Sequence, residues 1–404
     1  MNVPALRFPE FSGEWEEKRI GDVLHSHKLG GNYSNSLEPT PWPLIKMGNL
    51  KRGKMDVSKV EYIEVGEEID PDDLIKGGDL FFNTRNTLDL VGKVAIWREE
   101  LPTAYYNSNL MRLVFDCNEF MNIRLNSYSG IKSLKRVAAG TTSVAAIYTK
   151  DFLSVKASAP LLPEQKKIAA FLGVVDTKIA ALRDRRAGLE RYKRGLMQAL
   201  FSQTLRFTKD DGSAFPDWEE KRLGEVLHEH KAKSTGKEEV FSVSVHKGLV
   251  NQIEHLGRSF SAASTDHYNR VKQFDVVYTK SPTGDFPLGI IKQSYVAEDV
   301  IVSPLYGVFT PVTPALGRIL HVHFESNINV SNYLGPIVQK GAKNTINVTN
   351  LGFLSNKLTL PVSPDEQGKI ADALSAVDTK IAAVGDQLGQ METFKKGLLQ
   401  QMFV

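Results

Sequence analysis

Fourteen residues of this chain are written nearly twice, as WEEKRIGDVLHSHK at 15–28 and WEEKRLGEVLHEHK at 218–231. A repeat constrains the fold before composition does, because each copy must build the same local structure and the chain must divide accordingly. The match extends outward. Leu6-Arg7-Phe8 answers to Leu205-Arg206-Phe207, and Asp176-Thr177-Lys178-Ile179-Ala180-Ala181 to Asp378-Thr379-Lys380-Ile381-Ala382-Ala383. Arg194-Gly195-Leu196-Met197 answers to Lys396-Gly397-Leu398-Leu399. The middles agree only in pattern: Asp79-Leu80-Phe81-Phe82 with Asp275-Val276-Val277-Tyr278, and Val91-Gly92-Lys93 with Leu288-Gly289-Ile290. One unit is therefore written twice, as leader, variable globular part and long polar-rich helix. Shared ends with divergent middles imply a common frame that carries two different surfaces.

The end of each unit reads as a long helix. Ile168, Leu172, Val175, Ile179, Leu182, Leu189 and Leu196 are spaced by threes and fours, or by sevens, the seam of a coiled coil. Ile370, Leu374, Val377, Ile381, Val384, Leu388, Met391 and Leu398 follow the same register in the second copy. Ser363-Pro364-Asp365-Glu366 predicts a capping box with proline at the first helical position. So narrow a stripe does not hold a helix alone in water. Each helix packs on its own globular part or on the other helix. Identical registers favour the second, as an antiparallel pair. Arg186 stands where the second copy has Leu388, and Lys193 matches Lys395; polar residues at such sites weaken a seam and fix its register. The first helix is strongly basic and the second close to neutral.

The globular parts read as mixed α and β. Runs such as Asp79–Thr84, Lys93–Trp97, Leu110–Phe115, Phe274–Thr279 and Leu305–Thr310 predict strands between glycine and proline turns. Phe120–Ser127 and Arg318–Ser326 predict short helices.

A length of 404, 42% hydrophobic and 24% charged residues describe an ordinary globular chain of two or three domains. A net charge of +3 announces no general polyanion binder, so any basic surface is local. The one cysteine, Cys117, excludes an internal disulfide or a multi-cysteine zinc site. Without a signal peptide or a long apolar run, the expected location is cytoplasmic, with no membrane partner. There is no Walker-type phosphate loop, helical HExxH pair, nucleophile elbow or adenine-methylating tetrapeptide. The expectation is no catalytic residue, no metal site and no cofactor in this chain. Glu16-Glu17-Lys18 and Glu219-Glu220-Lys221 read as solvated starts of elements rather than a nuclease site. The pairs His25/His27 and His228/His230 read as structural, since two histidines at i, i+2 share a face only in a strand.

Six loops combine cationic, hydroxyl and amide side chains with glycine: 46–54, 83–87, 139–143, 246–248, 279–284 and 340–345. Arginine and lysine bind phosphates or guanine edges, and asparagine pairs with adenine. The loops at 83–87 and 279–284, and at 139–143 and 340–345, stand at matching places in the two copies. The candidate DNA-binding residues are Lys46, Lys51, Arg52, Arg85, Asn86, Thr141 and Thr142 in the first copy. In the second they are Lys247, Lys280, Ser281, Lys343, Asn344 and Thr345.

The whole chain resembles the specificity subunit of type I restriction-modification systems. The resemblance rests on the leader at 15–23 and 218–226, on Gly78-Asp79-Leu80 with Asp275-Val276, and most of all on the entries to the long helices. These read Pro160-Leu161-Leu162-Pro163-Glu164-Gln165 and Pro361-Val362-Ser363-Pro364-Asp365-Glu366-Gln367. It implies an α+β fold of two repeated mixed α/β target recognition domains, separated by a pair of long antiparallel coiled-coil helices with pseudo-two-fold symmetry. The expected boundaries are 1–158 and 204–358 for the recognition domains, and 159–203 and 359–404 for the spacer helices. Each domain would read one half of a bipartite, asymmetric double-stranded DNA target. The helices, each about 60 Å long, would set the spacer between half-sites that lie roughly 34 Å apart per duplex turn. Two methyltransferase subunits using S-adenosylmethionine would dock there, and through them motor-nuclease subunits using ATP and Mg. Two other classes stay open on the residues alone: a coiled-coil adaptor with two protein-binding domains, and an enzyme with an unrecognised site. A nearer alternative is a reader serving a methyltransferase system without a type I motor-nuclease.

Overall fold

The computed structural model describes residues 3–256, 264–280, 283–340 and 346–403. The chain divides into two compact units, 1–184 with 385–404 and 185–384. The division falls inside both long helices, Leu162–Phe201 and Pro364–Gln401. Each unit thus holds the first part of one helix and the last part of the other.

Both units build the same frame from the repeated letters. In the first, the leader strand Glu16–Arg19 pairs antiparallel with Lys156–Ala159, just before the long helix. In the second, Glu219–Arg222 pairs with Lys357–Leu360 in the same way. Both leader strands are largely exposed, and Glu17 and Glu220 pair across them with Lys156 and Lys357. These acidic triplets are solvated strand residues, as read from the sequence.

Next comes a four-stranded antiparallel sheet. Its order in the first unit is Ser26–Leu29, Leu110–Val114, Leu80–Asn83, Val94–Ile96. In the second it is Leu227–Glu229, Gly307–Pro311, Val276–Tyr278, Ile291–Gln293. Helices Asn118–Asn126 and Pro314–His323 follow the second strand of each order in sequence and pack on the sheet. Gly92 and Gly289, at matching turns, have φ of +72° and +97°, a region that side chains with a Cβ seldom enter. A Cβ on Gly289 would also meet the Tyr278 ring at 2.9 Å. The middles then diverge. The first unit adds a sheet ordered Asn35–Ser36, Glu61–Ile63, Pro43–Ile45, Tyr105–Tyr106. The second adds the ladders Phe241–Ser244 with Gly248–Asn251, and Asn269–Val271 with Val300–Val302.

The seam residues serve two partners at once. Ile168, Leu172, Val175, Ile179 and Leu398 join the first unit's core with Trp15, Phe82 and Phe120. Ile370 and Leu374 join the second core with Trp218, Tyr278 and Phe353. Leu182, Val377 and Val384 are buried as well, while Leu189, Leu196, Ile381, Leu388 and Met391 are half-buried. The alternatives left open by the stripe are therefore both realised: the globular part covers it, and so does the other helix. Within each unit the two helix segments run antiparallel. Lys395 pairs with Asp176 and Arg183 with Glu392 in the first, and Lys193 with Asp378 at 2.8 Å in the second. Lys193–Asp378 and Asp176–Lys395 are one contact written twice by the repeat.

The helix entries are duplicated too. Glu164 and Glu366 are buried and forked by Arg7 and Arg206 of the two leaders. Gln165 and Gln367 each donate to a proline carbonyl, Pro160 and Pro361, at 2.8 Å. The capping box forms only in part. Glu366 donates its backbone N–H to Ser363 Oγ at 3.5 Å, but its carboxylate belongs to Arg206. Among the described residues no helix is long and apolar enough to cross a membrane.

Candidate nucleic-acid interface

In the first unit, two of the candidate loops come together. Arg85–Asn86 forms an edge of a small sheet ordered Ala139–Gly140, Ala145–Ala146, Arg85–Asn86. The tip of its hairpin is Thr141–Val144, closed by Thr141 N–H to the Val144 carbonyl at 2.8 Å. Thr141 and Thr142 are exposed there, with Val144 at 70% exposure. Arg85 is exposed and has no ion pair among the described residues. It lines a cleft of about 220 Å³ with Ser108, Asn109, Tyr148 and Thr149. Tyr148 is 57% exposed, so the cleft offers a cation, an aromatic face and amide and hydroxyl groups.

The loop at 46–54 is occupied otherwise. Lys46 is held by Glu61 and Asn35 at 2.8 and 2.9 Å. Lys51 reaches Asp56 at 3.4 Å. Arg52 donates to the Asp89 carbonyl at 3.2 Å, and burial pushes its pKa down against the pull of Asp89.

A second cleft, of about 190 Å³, occupies the matching place in the second unit. Glu229, His230, Lys231, Lys233, Asn269 and Asn350 line it. Asn350 and Thr149 open equivalent short helices, Asn350–Ser355 and Thr149–Ser154. Lys280, two residues past the strand Val276–Tyr278, is half-buried with φ +57°; burial lowers its pKa and Glu229 opposes that. Lys247 is exposed in the turn of the Phe241–Asn251 hairpin, its N–H on Ser244 Oγ at 3.3 Å. Ser281, Lys343, Asn344 and Thr345 lie outside the described residues.

Sequence reasoning missed Tyr148, Asn109, Lys231, Lys233 and Asn350. Lys231 carried a legible signal, since it ends the repeated fourteen letters opposite Lys28. Lys28 is spent on Asp70 and Asp73 at 2.7 and 2.9 Å, contacts that raise its pKa against burial. Lys231 is exposed, in a left-handed conformation (φ +52°), with no ion pair among the described residues. The histidine pairs are structural where they are bound at all. His25 meets Asp116 at 2.8 Å, and His230 accepts from the Ala232 N–H and donates to Asp275 at 2.8 Å. Among the described residues no three His, Cys, Asp or Glu side chains are grouped to hold a metal ion.

Residues 12–191 match the type I restriction modification DNA specificity domain. The MjaX type I restriction enzyme specificity subunit of Methanocaldococcus jannaschii is 22% identical over 98% of this chain and 95% of its own length. The crystal structure of a type I restriction-modification S subunit from M. genitalium superposes with a TM-score of 0.63 at 13% identity, covering 100% of this chain and 99% of that one. A chain from a study of complex assembly and conformational transition of the type I system gives 0.50 at 15% identity, covering 96% and 97%. The fold is therefore that of such subunits.

Proposed function

We propose that this chain, which belongs with the specificity subunits of type I restriction-modification systems, reads a bipartite, asymmetric DNA target with one half assigned to each globular part. The observation that carries the reading is the pair of clefts: same place in the frame, different side chains. Arg85 with Asn109 and Tyr148 suits base edges and a stacking or methyl contact. Lys231 in the cleft, and Lys280 past the strand Val276–Tyr278, suit phosphates and guanine, while Lys233 is held by Asn269 at 2.7 Å. A near-neutral chain fits a subunit whose partners share the phosphate contacts. Those partners are two methyltransferase subunits, bringing S-adenosylmethionine, and motor-nuclease subunits that use ATP and Mg; catalysis is theirs.

The test is methylation mapping. The chain is expressed with its modification subunit in a host lacking DNA methylation, and modified adenines are sequenced. The expected result is one split motif with a fixed gap. A soluble complex that leaves no motif would favour the adaptor reading.

Two predictions follow the same readout. Arg85→Ala removes about 1–3 kcal/mol of discrimination, the range for one good base contact, at the first half-site alone. Equal relaxation at both half-sites would remove Arg85 from the interface. Deleting one heptad from each long helix shortens the pair by about 10 Å, or about three base pairs of spacer. An unchanged gap would show that the helices do not set it.

A further inference from the structure

Four charges alternate across three helices of the second unit. Arg318 pairs with Asp378, Asp378 with Lys193 at 2.8 Å, and Lys193 with Glu325 at 2.6 Å. Arg318 lies on Pro314–His323 and Glu325 two residues past its end; Lys193 and Asp378 come from the first and second long helices. Glu325 also meets His321 at 3.2 Å and Lys292 at 3.5 Å. Lys193, Arg318 and Lys292 are only 12, 10 and 5% exposed, and Glu325 and Asp378 27 and 33%, so water screens these pairs only in part.

Half of this chain of charges exists in both units and half does not. Lys193–Asp378 recurs as Lys395–Asp176. The globular half can be compared by counting back from the serines that cap the next helix, Ser127 and Ser326. Glu325 then corresponds to Asn126, His321 to Asn122 and Arg318 to Glu119. Lys292 and Ala95 are the middle residues of matching strands, paired with Val277 and Phe81. Beyond the Arg–Glu fork that both units share, the first unit thus meets its helix segments at this face by apolar contact, with Phe403 5.9 Å from Trp15 and 5.8 Å from Phe120. The second keeps the equivalent contact, Phe201 against Trp218 at 6.4 Å, and adds the charges. Apolar contact is non-directional and tolerates small rotations. A partly buried charge chain admits one arrangement, because a rotation strands a charge away from water.

We propose that Lys193, Glu325, Arg318 and Asp378 are positioning residues that fix the angle of the second globular part on its helix segments, and so set the phase of the second half-site against the spacer. The inference rests on the DNA-reading function proposed above.

Methylation maps of the wild type and three variants decide it. Glu325→Asn with Lys292→Ala installs the first unit's residues at both positions, and Glu325→Gln alone is the milder change should the double variant fold poorly. Each is checked for a cooperative thermal melt of the complex that stays above the temperature of the assay. Methylation at sites whose spacer is one base pair longer or shorter should rise about tenfold, the scale of one lost coupling of this kind. The bases of both half-sites should stay the same, and Lys193→Arg, which keeps the charge, should keep the wild-type gap. A folded variant that holds one spacer as strictly as the wild type overturns the proposal. A wild type without any split motif overturns instead the function it rests on.

Discussion

Arg206→Ala will lower the stability of the second unit by about 3 kcal/mol, and Arg7→Ala will do the same to the first. Glu366 and Glu164 are 0 and 2% exposed, so each carboxylate depends on its arginine. Arg7 binds Glu164 through Nε and Nη2 at 2.8 and 2.7 Å, a two-pronged fork. Arg206 grips Glu366 through the same two nitrogens at 3.1 Å. Both carboxylates sit in the first turn of a long helix, where the helix dipole favours a negative charge. That dipole is worth up to about 1 kcal/mol at most such sites, too little to replace a lost counter-ion. Each arginine has a second task. Arg7 donates to the Ser12 carbonyl at 3.1 Å and Arg206 to the Pro216 carbonyl at 2.5 Å, which holds the loop leading into the buried Trp15 and Trp218. Chemical denaturation of the complete chain measures the loss. Arg206→Ala with Glu366→Leu should recover part of it, because removing both charges leaves nothing stranded. A single variant that costs less than about 1 kcal/mol would mean that water reaches the carboxylate.

The leader arginines show what the sequence could and could not reveal. Their duplication was legible, since Leu6-Arg7-Phe8 and Leu205-Arg206-Phe207 match letter for letter in type. Their partners were not, because Glu164 lies 157 residues away and nothing local points to it. The same limit spoiled the capping box at Ser363: spacing predicted a local hydrogen bond for Glu366, and a distant arginine won the carboxylate. Strands such as Leu80–Asn83 and Val276–Tyr278 were legible because buried apolar runs bounded by Gly-Asp and Phe-Asp turns leave little choice. The sheet that joins Arg85 to Thr141 was not. Its strands are two residues each, Ala139–Gly140 and Ala145–Ala146 among them, with no β-branched side chain to mark them. Loop chemistry found Arg85 as a candidate, yet the cleft beside it needed Tyr148 and Asn109, which only the third dimension brings near. The charge chain around Glu325 was invisible for a further reason: it exists where the two copies differ, and repeat comparison draws attention to where they agree.

That difference makes the second unit the acid-sensitive one. His321 is buried and accepts the Gln293 N–H on Nδ1 at 3.1 Å. Its Nε2 must then carry the proton, donated to Glu325 at 3.2 Å. A second proton would have to displace the Gln293 contact, in a pocket that already holds Lys292 and Arg318. Burial above all, with those two cations, pushes the His321 pKa down to about 4, although Glu325 pulls the other way. Its ordinary value in an unfolded chain is 6.5. Between those values the unfolded chain binds more protons than the folded one, so the stabilisation is complete above pH 6.5 and is lost as the pH falls towards 4. At pH 5 the loss from His321 alone is on the order of 2 kcal/mol. His323, half-buried beside the Phe201 ring, is pushed down to about 4 by burial and adds to the loss with the same sign. Glu325 extends it further. Burial opposes its charge, but His321, Lys292 and Lys193 outweigh that and hold it well below the usual carboxylate range. Its contribution is lost below about pH 4.5, the ordinary carboxylate value. The first unit carries its histidines His25 and His27 exposed, and Asn122 stands where the second has His321. Calorimetry from pH 7 to pH 5 should therefore show the melting of the second unit moving to lower temperature while the first holds. His321→Asn, which keeps an acceptor for the Gln293 N–H and cannot ionise, should remove about half of that shift, since His323 starts from and is lowered to the same values. A shift that survives this substitution in full would take the acid sensitivity away from His321.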